Sequence, residues 1–368
     1  MMNRLTLQIT CAVFIALFLL LLTPVRAQDL GEVVSIRSIQ IVSGITESIP
    51  SDENKIVEYI DEVTLYAIIE IEKNDGSVIF LSDADSFFIE ERKAVAVPIQ
   101  NSLKNYNLIW YKIENDAKNK WYSNTDPTWH WDELDYKETL IDGISTRITA
   151  DVATTIISAT GLDGKAVGTM RYRVKLIYKG RTFSSPGKNE TYKGCISEAV
   201  HRISRKGNSG NEIVDYGLAM CNSPYIWGSA SYTGSKFDNQ AERFVGADCA
   251  DFAVAAARMA GYKKLPYGGS RTLGPYVTNI ARPSRSENGL YYAGNKKVSV
   301  STDAVRPGDF VVWPGHVGLF YKDTDPIGVL DETDLVLHTL FDEPKIVGID
   351  EAYPKSFIIC RPKESLKY

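Results

Sequence analysis

The stretch GADCADFAVAAARMAG, residues 246–261, predicts a helix that is buried on most of its sides. Asp248 is a good N-cap residue, and Gly261 suits the position that follows a helix C-terminus. The body between them is nearly all Ala, Val, Phe and Met, a composition typical of a helix inside a protein. Cys249 falls in the first turn, where the partial positive charge of the helix N-terminus favours a thiolate. Cys249 is therefore a candidate nucleophile, although a small core residue or half of a disulfide would look the same in the sequence.

Two of the four histidines follow in contexts that suit a base and its partner. Residues 306–321 read RPGDFVVWPGHVGLFY, which predicts a turn, a strand, a Pro-Gly break and a second strand opened by His316. Residues 335–340 read LVLHTL, a predicted strand with His338 as a polar residue among apolar ones. His338 can hydrogen-bond the far ring nitrogen of His316 and fix its tautomer. Each histidine alone is more often a satisfied, half-buried imidazole, but the ordered set with Cys249 favours catalysis.

Four local motifs resemble the NlpC-like cysteine peptidases of bacterial cell-wall metabolism, which have a circularly permuted papain-like fold. The matching segments are Tyr225-Ile226-Trp227-Gly228, Asp248-Cys249, Pro307-Gly308-Asp309 with His316-Val317-Gly318, and His338. In that order they correspond to the family's Tyr-x-x-Gly segment, its Asp-Cys segment, its base-bearing hairpin and its orienting residue. The resemblance covers about residues 195–368.

The sequence departs from the family pattern near the nucleophile. Ala250-Asp251 stands where the family usually has Ser-Gly, and Ser229 stands where a second glycine is usual. The interval between the two histidines is also longer than usual. Asp251 is expected to add a charge near the cleft, which bears on substrate preference more than on the reaction.

The resemblance implies a cysteine peptidase that hydrolyses amide bonds in peptidoglycan stem peptides or their muropeptide fragments, such as γ-D-glutamyl-diaminopimelate, without a cofactor. It implies that Cys249 attacks, that His316 acts as the base and that His338 orients it. It also implies that Tyr225 lines the site and that Asp248 helps to hold a substrate amine. Two alternatives stay open: an amidase or acyltransferase acting on another amide, and a non-enzymatic cell-wall-binding protein.

The front half, residues 30–185, reads as an antiparallel β-sandwich. Residues 169–178 alternate apolar and basic side chains, and Lys179-Gly180 then predicts a tight turn. Asn74-Asp75-Gly76 predicts a second hairpin turn. The last hairpin resembles an immunoglobulin or fibronectin module in pattern alone. The predicted fold class is therefore α+β, with this sandwich followed by a papain-like α+β domain over residues 190–368.

Four of the six tryptophans, Trp110, Trp121, Trp129 and Trp131, lie in the front half. They are either a platform on which sugar rings stack or, as is more usual for large aromatics, core and packed loop. We expect the front half to position the enzyme and to carry no catalytic group. After a linker at 184–189, helical spacing predicts helices over residues 196–203 and 211–220.

The remaining expectations concern export. Residues 1–27 combine an early arginine, an apolar core and a small-residue end, which predicts a cleaved signal peptide and a periplasmic or secreted protein. No other segment is apolar enough to span a membrane, and a net charge of −5 argues against nucleic-acid binding. No cysteine spacing suggests a metal site. Cys195 and Cys221 are either a disulfide or two buried helix residues, and Cys360 is expected to be a free buried thiol.

Overall fold

The computed structural model describes residues 33–116, 120–123, 134–142, 145–154, 159–161, 164–192, 195–231, 239–285 and 288–368. The predicted signal peptide, Trp129 and Trp131 lie outside these ranges. The described part is a mixed α+β protein in which strands predominate. None of its helices has the length and apolar character needed to cross a membrane.

The elements of the front half precede residue 185. Its strands are β1 (Val33–Ile45), β2 (Lys55–Val57), β3 (Val63–Lys73), β4 (Val78–Leu81), β5 (Ser86–Ile89), β6 (Arg92–Val97), β7 (Tyr106–Asn115), β8 (Trp121–Ser123), β9 (Tyr136–Asp142), β10 (Arg147–Thr149), β11 (Ala159–Thr160), β12 (Ala166–Tyr178) and β13 (Arg181–Ser184). A short helix, α1 (Ile99–Ser102), lies between β6 and β7.

The elements that follow are fewer helices and a second series of strands. The strands are β14 (Thr191–Tyr192), β15 (Cys195–Ile196), β16 (Arg202–Arg205), β17 (Tyr225–Trp227), β18 (Val277–Ala281), β19 (Ser284–Arg285), β20 (Tyr291–Ala293), β21 (Lys296–Lys297), β22 (Phe310–Trp313), β23 (His316–Lys322), β24 (Leu335–His338), β25 (Lys345–Gly348) and β26 (Ile358–Pro362). The helices are α2 (Glu212–Ala219), α3 (Cys249–Met259) and α4 (Ile349–Ala352), with 3₁₀ turns at Ser270–Thr272, Gly274–Tyr276 and Glu364–Leu366.

Two sheets, formed by strands of the front half together with β16, share one hydrophobic core. One has the order β1-β3-β4-β6-β5 with β10 beside β3, and the other has the order β2-β16-β12-β7-β9 with β11 and β13 beside β12. Leu65 from the first sheet and Trp110 and Tyr172 from the second are fully buried between them. Alternate residues of a strand point to opposite faces, so one face of each strand fills this core.

The hairpins predicted in the front half are confirmed. Strands β12 and β13 pair in antiparallel fashion around Lys179-Gly180, where both residues have positive φ, as two-residue hairpin turns require. Strands β3 and β4 pair likewise around the turn at Asn74-Asp75-Gly76. The apolar residues of β12 that were predicted to share a face are all fully buried: Met170, Tyr172, Val174 and Leu176.

The helix predicted over residues 196–203 is wrong, because that segment contains β15 and the start of β16. Strand β16 pairs with β12 and with β2, and all four of its residues are buried. Long-range pairing of this kind overrides a local helical pattern. The second predicted helix is confirmed as α2, whose N-cap Asn211 accepts hydrogen bonds from the backbone of Ile213 and Val214.

The back half is built on a six-stranded antiparallel sheet with the order β18-β26-β22-β23-β24-β25. Helices α2 and α3 pack on one face, where Leu218 and Phe252 meet Leu319. A second apolar cluster, which includes Trp313 and Phe320, covers the other face. The central hairpin of β22 and β23 is therefore buried from both sides, which places the start of β23 inside the protein.

The four described cysteines are buried free thiols: Cys195, Cys221, Cys249 and Cys360. The disulfide considered between Cys195 and Cys221 is therefore not formed. Cys195 lies on β15, paired with β14, and not at the start of a helix, so the helical hairpin that would have joined the two residues does not exist. Burial raises the pKa of Cys195 to about 12 and that of Cys360 to about 11.

Candidate active site

Cys249 is the first residue of α3, as predicted, and its neighbour Asp248 is the N-cap. One carboxylate oxygen of Asp248 accepts from the N–H groups of Ala250 at 3.0 Å and Asp251 at 2.9 Å. The other accepts from the N–H of Gly228 at 2.8 Å. Asp248 therefore ties the start of the helix to the segment that follows β17.

The close contact between these two segments depends on Gly246. A Cβ atom at this position would lie 2.6 Å from the carbonyl oxygen of Pro224, a separation that real Cβ atoms do not reach. The backbone of Ala247 donates to the same carbonyl and accepts from the N–H of Ile226. The chain before the nucleophile thus runs alongside β17.

Cys249 is only 6% exposed, and its surroundings keep the thiol protonated. The backbone N–H of Val317 donates to the sulfur, but burial and the neighbouring Asp248 carboxyl raise the pKa of the Cys249 thiol to about 12. The helix N-terminus alone was expected to lower this pKa. Burial outweighs the helix because the charged form loses its hydration.

His316 occupies the first position of β23, opposite Trp313 in the hairpin. The indole of Trp313 stacks on the imidazole with ring centres 5.2 Å apart and planes 27° apart. The ring of Tyr353 lies against His316 at 5.1 Å. Between these two aromatic rings the imidazole of His316 is fully buried and held in one orientation.

The two histidines meet as predicted. Nε2 of His316 lies 2.9 Å from Nδ1 of His338, at hydrogen-bonding distance. Nδ1 of His316 is buried and has no hydrogen-bond partner in the part of the chain that the structure describes. Burial lowers the pKa of His316 to about 4 and that of His338 to about 3, so both rings are neutral at pH 7. In a neutral ring, donation through Nε2 leaves Nδ1 as a proton acceptor.

Gly318 allows the strand that carries His338 to approach β23. The two residues lie directly opposite each other in the β23–β24 pair. A Cβ atom at position 318 would lie 3.1 Å from Cβ of His338 and 3.3 Å from the carbonyl oxygen of Leu337. The glycine of the His-Val-Gly segment thus helps to position the orienting histidine.

Tyr225 lies beside the nucleophile, and its hydroxyl is poised to donate. The residue is fully buried, and its hydroxyl oxygen has no hydrogen-bond partner within the described ranges. Burial and the nearby Cys249 thiol raise the pKa of the Tyr225 hydroxyl well above 10. The hydroxyl therefore keeps its proton at pH 7.

Asp251 does not place a charge in the cleft, contrary to expectation. It is fully buried, and its Oδ2 accepts from the backbone N–H groups of Ala230 at 2.7 Å and Ser231 at 3.0 Å. The hydroxyl of Ser229 also donates to it, at 3.0 Å. The two departures from the family pattern thus contact each other. Together, Ser229 and Asp251 fix the loop that follows β17.

Several residues around the site escaped sequence reasoning. Trp313 and Tyr353 hold His316, and Trp121 and Phe341 pack against the ring of Tyr225. Trp313 stands three positions before His316, across the Pro-Gly break, so the hairpin pattern could have identified it, whereas nothing local marks the others. The Pro-Gly-Asp turn has a structural role, since Asp309 forms a two-pronged ion pair with Arg361.

Comparison with family models, with curated proteins and with solved structures found no match for this chain. Within the described ranges, no group of three or more His, Cys, Asp or Glu side chains is arranged to hold a metal ion. The chemistry of the site therefore has to be argued from its thiol, its two imidazoles and its hydroxyl.

Proposed function

We propose that the chain is an exported cysteine peptidase that hydrolyses amide bonds in peptidoglycan stem peptides. The observation that carries the catalytic part is the arrangement of Cys249, His316 and His338. A helix-start thiol accepts from the N–H that follows His316, and His316 keeps one nitrogen bonded to His338 and the other unpartnered. A base with one free and one fixed nitrogen is what nucleophilic catalysis requires.

In the proposed reaction the Cys249 thiol proton moves to Nδ1 of His316 as the sulfur attacks the carbonyl carbon. Because thiol and imidazole are both neutral at pH 7, attack and proton transfer occur together. The tetrahedral intermediate collapses when the C–N bond breaks, and His316 returns the proton to the leaving amine. Water then attacks the thioester, gives a proton to His316 and releases the acid, and the sulfur leaves as the thiol.

Two donors serve the oxyanion that forms during attack. The N–H groups of Ala250 and Asp251 are already bound by the Asp248 side chain. The N–H of Cys249 is the first of the helix and lacks an intrahelical acceptor, so it is available to the oxyanion. The unpartnered hydroxyl of Tyr225 is the second donor.

The substrate class rests on the resemblance to NlpC-like peptidases, and so does the finer fold assignment. The back sheet with α3 on one face suits a papain-like domain, and the two front sheets suit an immunoglobulin- or fibronectin-like sandwich. The resemblance implies that the residue at Asp248 helps to hold a substrate amine. In this chain the Asp248 carboxyl is already used by three backbone N–H groups, so we assign it to the architecture of the site.

The test uses purified full-length protein and defined muropeptides. A thiol-reactive probe should label Cys249, muropeptides should slow the labelling, and mass spectrometry should find new amine and carboxyl ends at one bond. Cys249→Ala should give no product, while the matched control Cys360→Ala, another buried thiol, should retain the wild-type rate. If Cys249 is labelled but no muropeptide is cleaved, the substrate is another amide. If Cys249 does not react with the probe, the proposed cysteine peptidase is wrong.

A further inference from the structure

A strand of the front half reaches the candidate site. Strand β8 pairs in parallel with β17, so that Trp121 lies opposite Tyr225 and Ser123 lies opposite Trp227. These strands are about a hundred residues apart in sequence and form a two-stranded sheet of their own. The segment that carries Tyr225 is therefore held by the front half on one side and by the start of α3 on the other.

Three aromatic rings meet at this junction. The ring of Tyr225 lies 6.3 Å from that of Trp121, nearly perpendicular to it, and 5.2 Å from that of Phe341. Trp121 and Phe341 contact each other at 5.1 Å. Tyr225 is fully buried, whereas Trp121 is half-buried and Phe341 is 41% exposed. The partly exposed rings of Trp121 and Phe341 thus present apolar surface to a group bound next to Tyr225.

Phe341 is held in a costly backbone conformation three residues after His338. Its φ is +52°, a region that residues with a side chain rarely adopt. The hydroxyl of Thr339 donates to the carbonyl of Asp342 at 2.5 Å and braces the turn from within. Strained residues of this kind persist where the surroundings over-determine them, and they gather at binding sites and active sites.

We propose that Trp121 and Phe341 form an aromatic subsite beside Cys249 that binds an apolar group of the substrate, next to the amide that is cleaved. The subsite rests on the proposed function only in taking Cys249 as the reacting group. The three rings carry no charge, and aromatic faces favour aliphatic or aromatic groups over charged ones. The front half therefore contributes to substrate choice, although it supplies none of the reacting atoms.

The test measures how fast two haloacetamides alkylate Cys249 in full-length protein. Iodoacetamide is the small reagent, and N-benzyl iodoacetamide carries an apolar group at the same reactive centre. Peptide mass spectrometry gives the rate at Cys249 for each reagent. In wild-type protein the benzyl reagent should react faster, and Trp121→Ala should lower the benzyl-to-small ratio about three- to ten-fold. Trp121→Phe should retain most of the preference.

Two further variants keep the test decisive. Tyr122→Ala removes the neighbouring aromatic residue of β8, whose side chain points to the other face of the strand, and should leave the ratio unchanged. Phe341→Gly removes the second ring and suits the positive φ, so it tests the subsite even if Trp121→Ala does not fold. An unchanged ratio in folded Trp121→Ala or Phe341→Gly protein would overturn the subsite. If the variants lower the benzyl-to-small ratio but the wild-type protein cleaves no muropeptide, the subsite is supported and only the peptidase proposal fails.

Discussion

Two hairpins, one in each half of the molecule, are built alike and serve different ends. The front hairpin, β12–β13, turns at Lys179-Gly180, and the back hairpin, β22–β23, turns at Pro314-Gly315. Each turn contains a glycine with positive φ, 74° at Gly180 and 93° at Gly315. Each hairpin also buries large apolar side chains in a core that both its strands help to form.

The hairpins differ in the kind of polar atom that they bury without a hydrogen-bond partner in the described part of the chain. In the front hairpin the hydroxyl of Tyr172 donates to the carbonyl of Asp151 at 3.0 Å, and the buried atoms without a partner are Nε of Arg171 and Nε of Arg173, which can only donate. In the back hairpin Nδ1 of His316 and Nε1 of Trp313 are buried without a partner in the described part of the chain. A buried polar atom without a hydrogen-bond partner costs free energy, so its presence calls for a structural or functional explanation. Of these atoms only Nδ1 of a neutral His316 can accept a proton, so the contrast teaches that the kind of unpartnered atom, and not the hairpin itself, marks the candidate chemistry.

The test with the largest expected effect removes the proposed nucleophile of the back half and compares it with a buried hydroxyl of the front half. Cys249→Ala should abolish muropeptide cleavage with little change in the melting temperature, because one small side chain is lost at a helix start. The counterpart Tyr172→Phe should retain the wild-type rate and lower the free energy of unfolding by about 1 kcal/mol, since it removes a hydrogen bond. Hydrolysis near the wild-type rate in Cys249→Ala, measured by mass spectrometry, would contradict the nucleophile assignment.

The second test separates the two histidines. His316→Ala should lower kcat about 10²–10⁴-fold, because it removes the general base. His338→Ala should lower kcat by less, because His338 transfers no proton. His338→Asn should recover part of the loss, since an amide oxygen accepts from Nε2–H of His316. Equal losses in both alanine variants, with no recovery by asparagine, would show that His338 does not orient the base.

The parts of the site that could be predicted from the sequence are those with a local signal. The α3 helix has its N-cap Asp248, the β23 strand has its Pro-Gly break, and the β24 strand has one polar residue among apolar ones. Each signal lies within a few residues of the group that it positions. Capping, turn formation and alternation act over that range, which explains why the sequence could place Cys249, His316 and His338 as candidates.

The parts that could not be predicted depend on contacts between distant segments. Strand β16 belongs to the front sheet only through its pairing with β12 and β2, and its local pattern indicated a helix. The pairing of β8 with β17 has no local sign at all. Ser229 and Asp251 each looked like an independent departure from a family pattern. The two side chains are hydrogen-bonded to each other, which only the folded loop reveals.

The third test compares two glycines that the fold needs for different reasons: Gly318 for lack of space, and Gly180 for its positive φ. Gly318→Ala would place a Cβ 3.1 Å from that of His338, so the histidine must shift by a few tenths of an ångström. We expect kcat to fall about three- to ten-fold, because catalysis is sensitive to small misplacements. Gly180→Ala meets no atom within 4 Å but has a φ of +74°, so it should cost about 1 kcal/mol of stability and no activity. An unimpaired Gly318→Ala enzyme would show that the close β23–β24 approach is unimportant.

The test with the smallest expected effect compares two buried histidines that should lower the free energy of unfolding in the same way as the pH falls. Burial lowers the pKa of His201, directly before β16, and of His338, on β24, from 6.5 to about 3. Below pH 6.5 the unfolded chain binds protons that the folded chain cannot, so the free energy of unfolding should fall by about 1.4 kcal/mol per pH unit for each histidine. Above pH 6.5 neither group contributes to the pH dependence, because both states are neutral.

Urea unfolding at pH 7.5 and at pH 5.5 measures this response. His201→Gln and His338→Asn should each reduce the stability lost between the two pH values by about 1.4 kcal/mol. Cleavage at pH 7.5 should then distinguish the variants, because the carbonyl of His201 accepts from Tyr172 on β12, whereas the His338 ring hydrogen-bonds His316. His201→Gln should keep the wild-type rate, whereas His338→Asn should be slower. A slow His201→Gln enzyme would mean that the front core and the site are coupled more tightly than the junction at β8 and β17 implies.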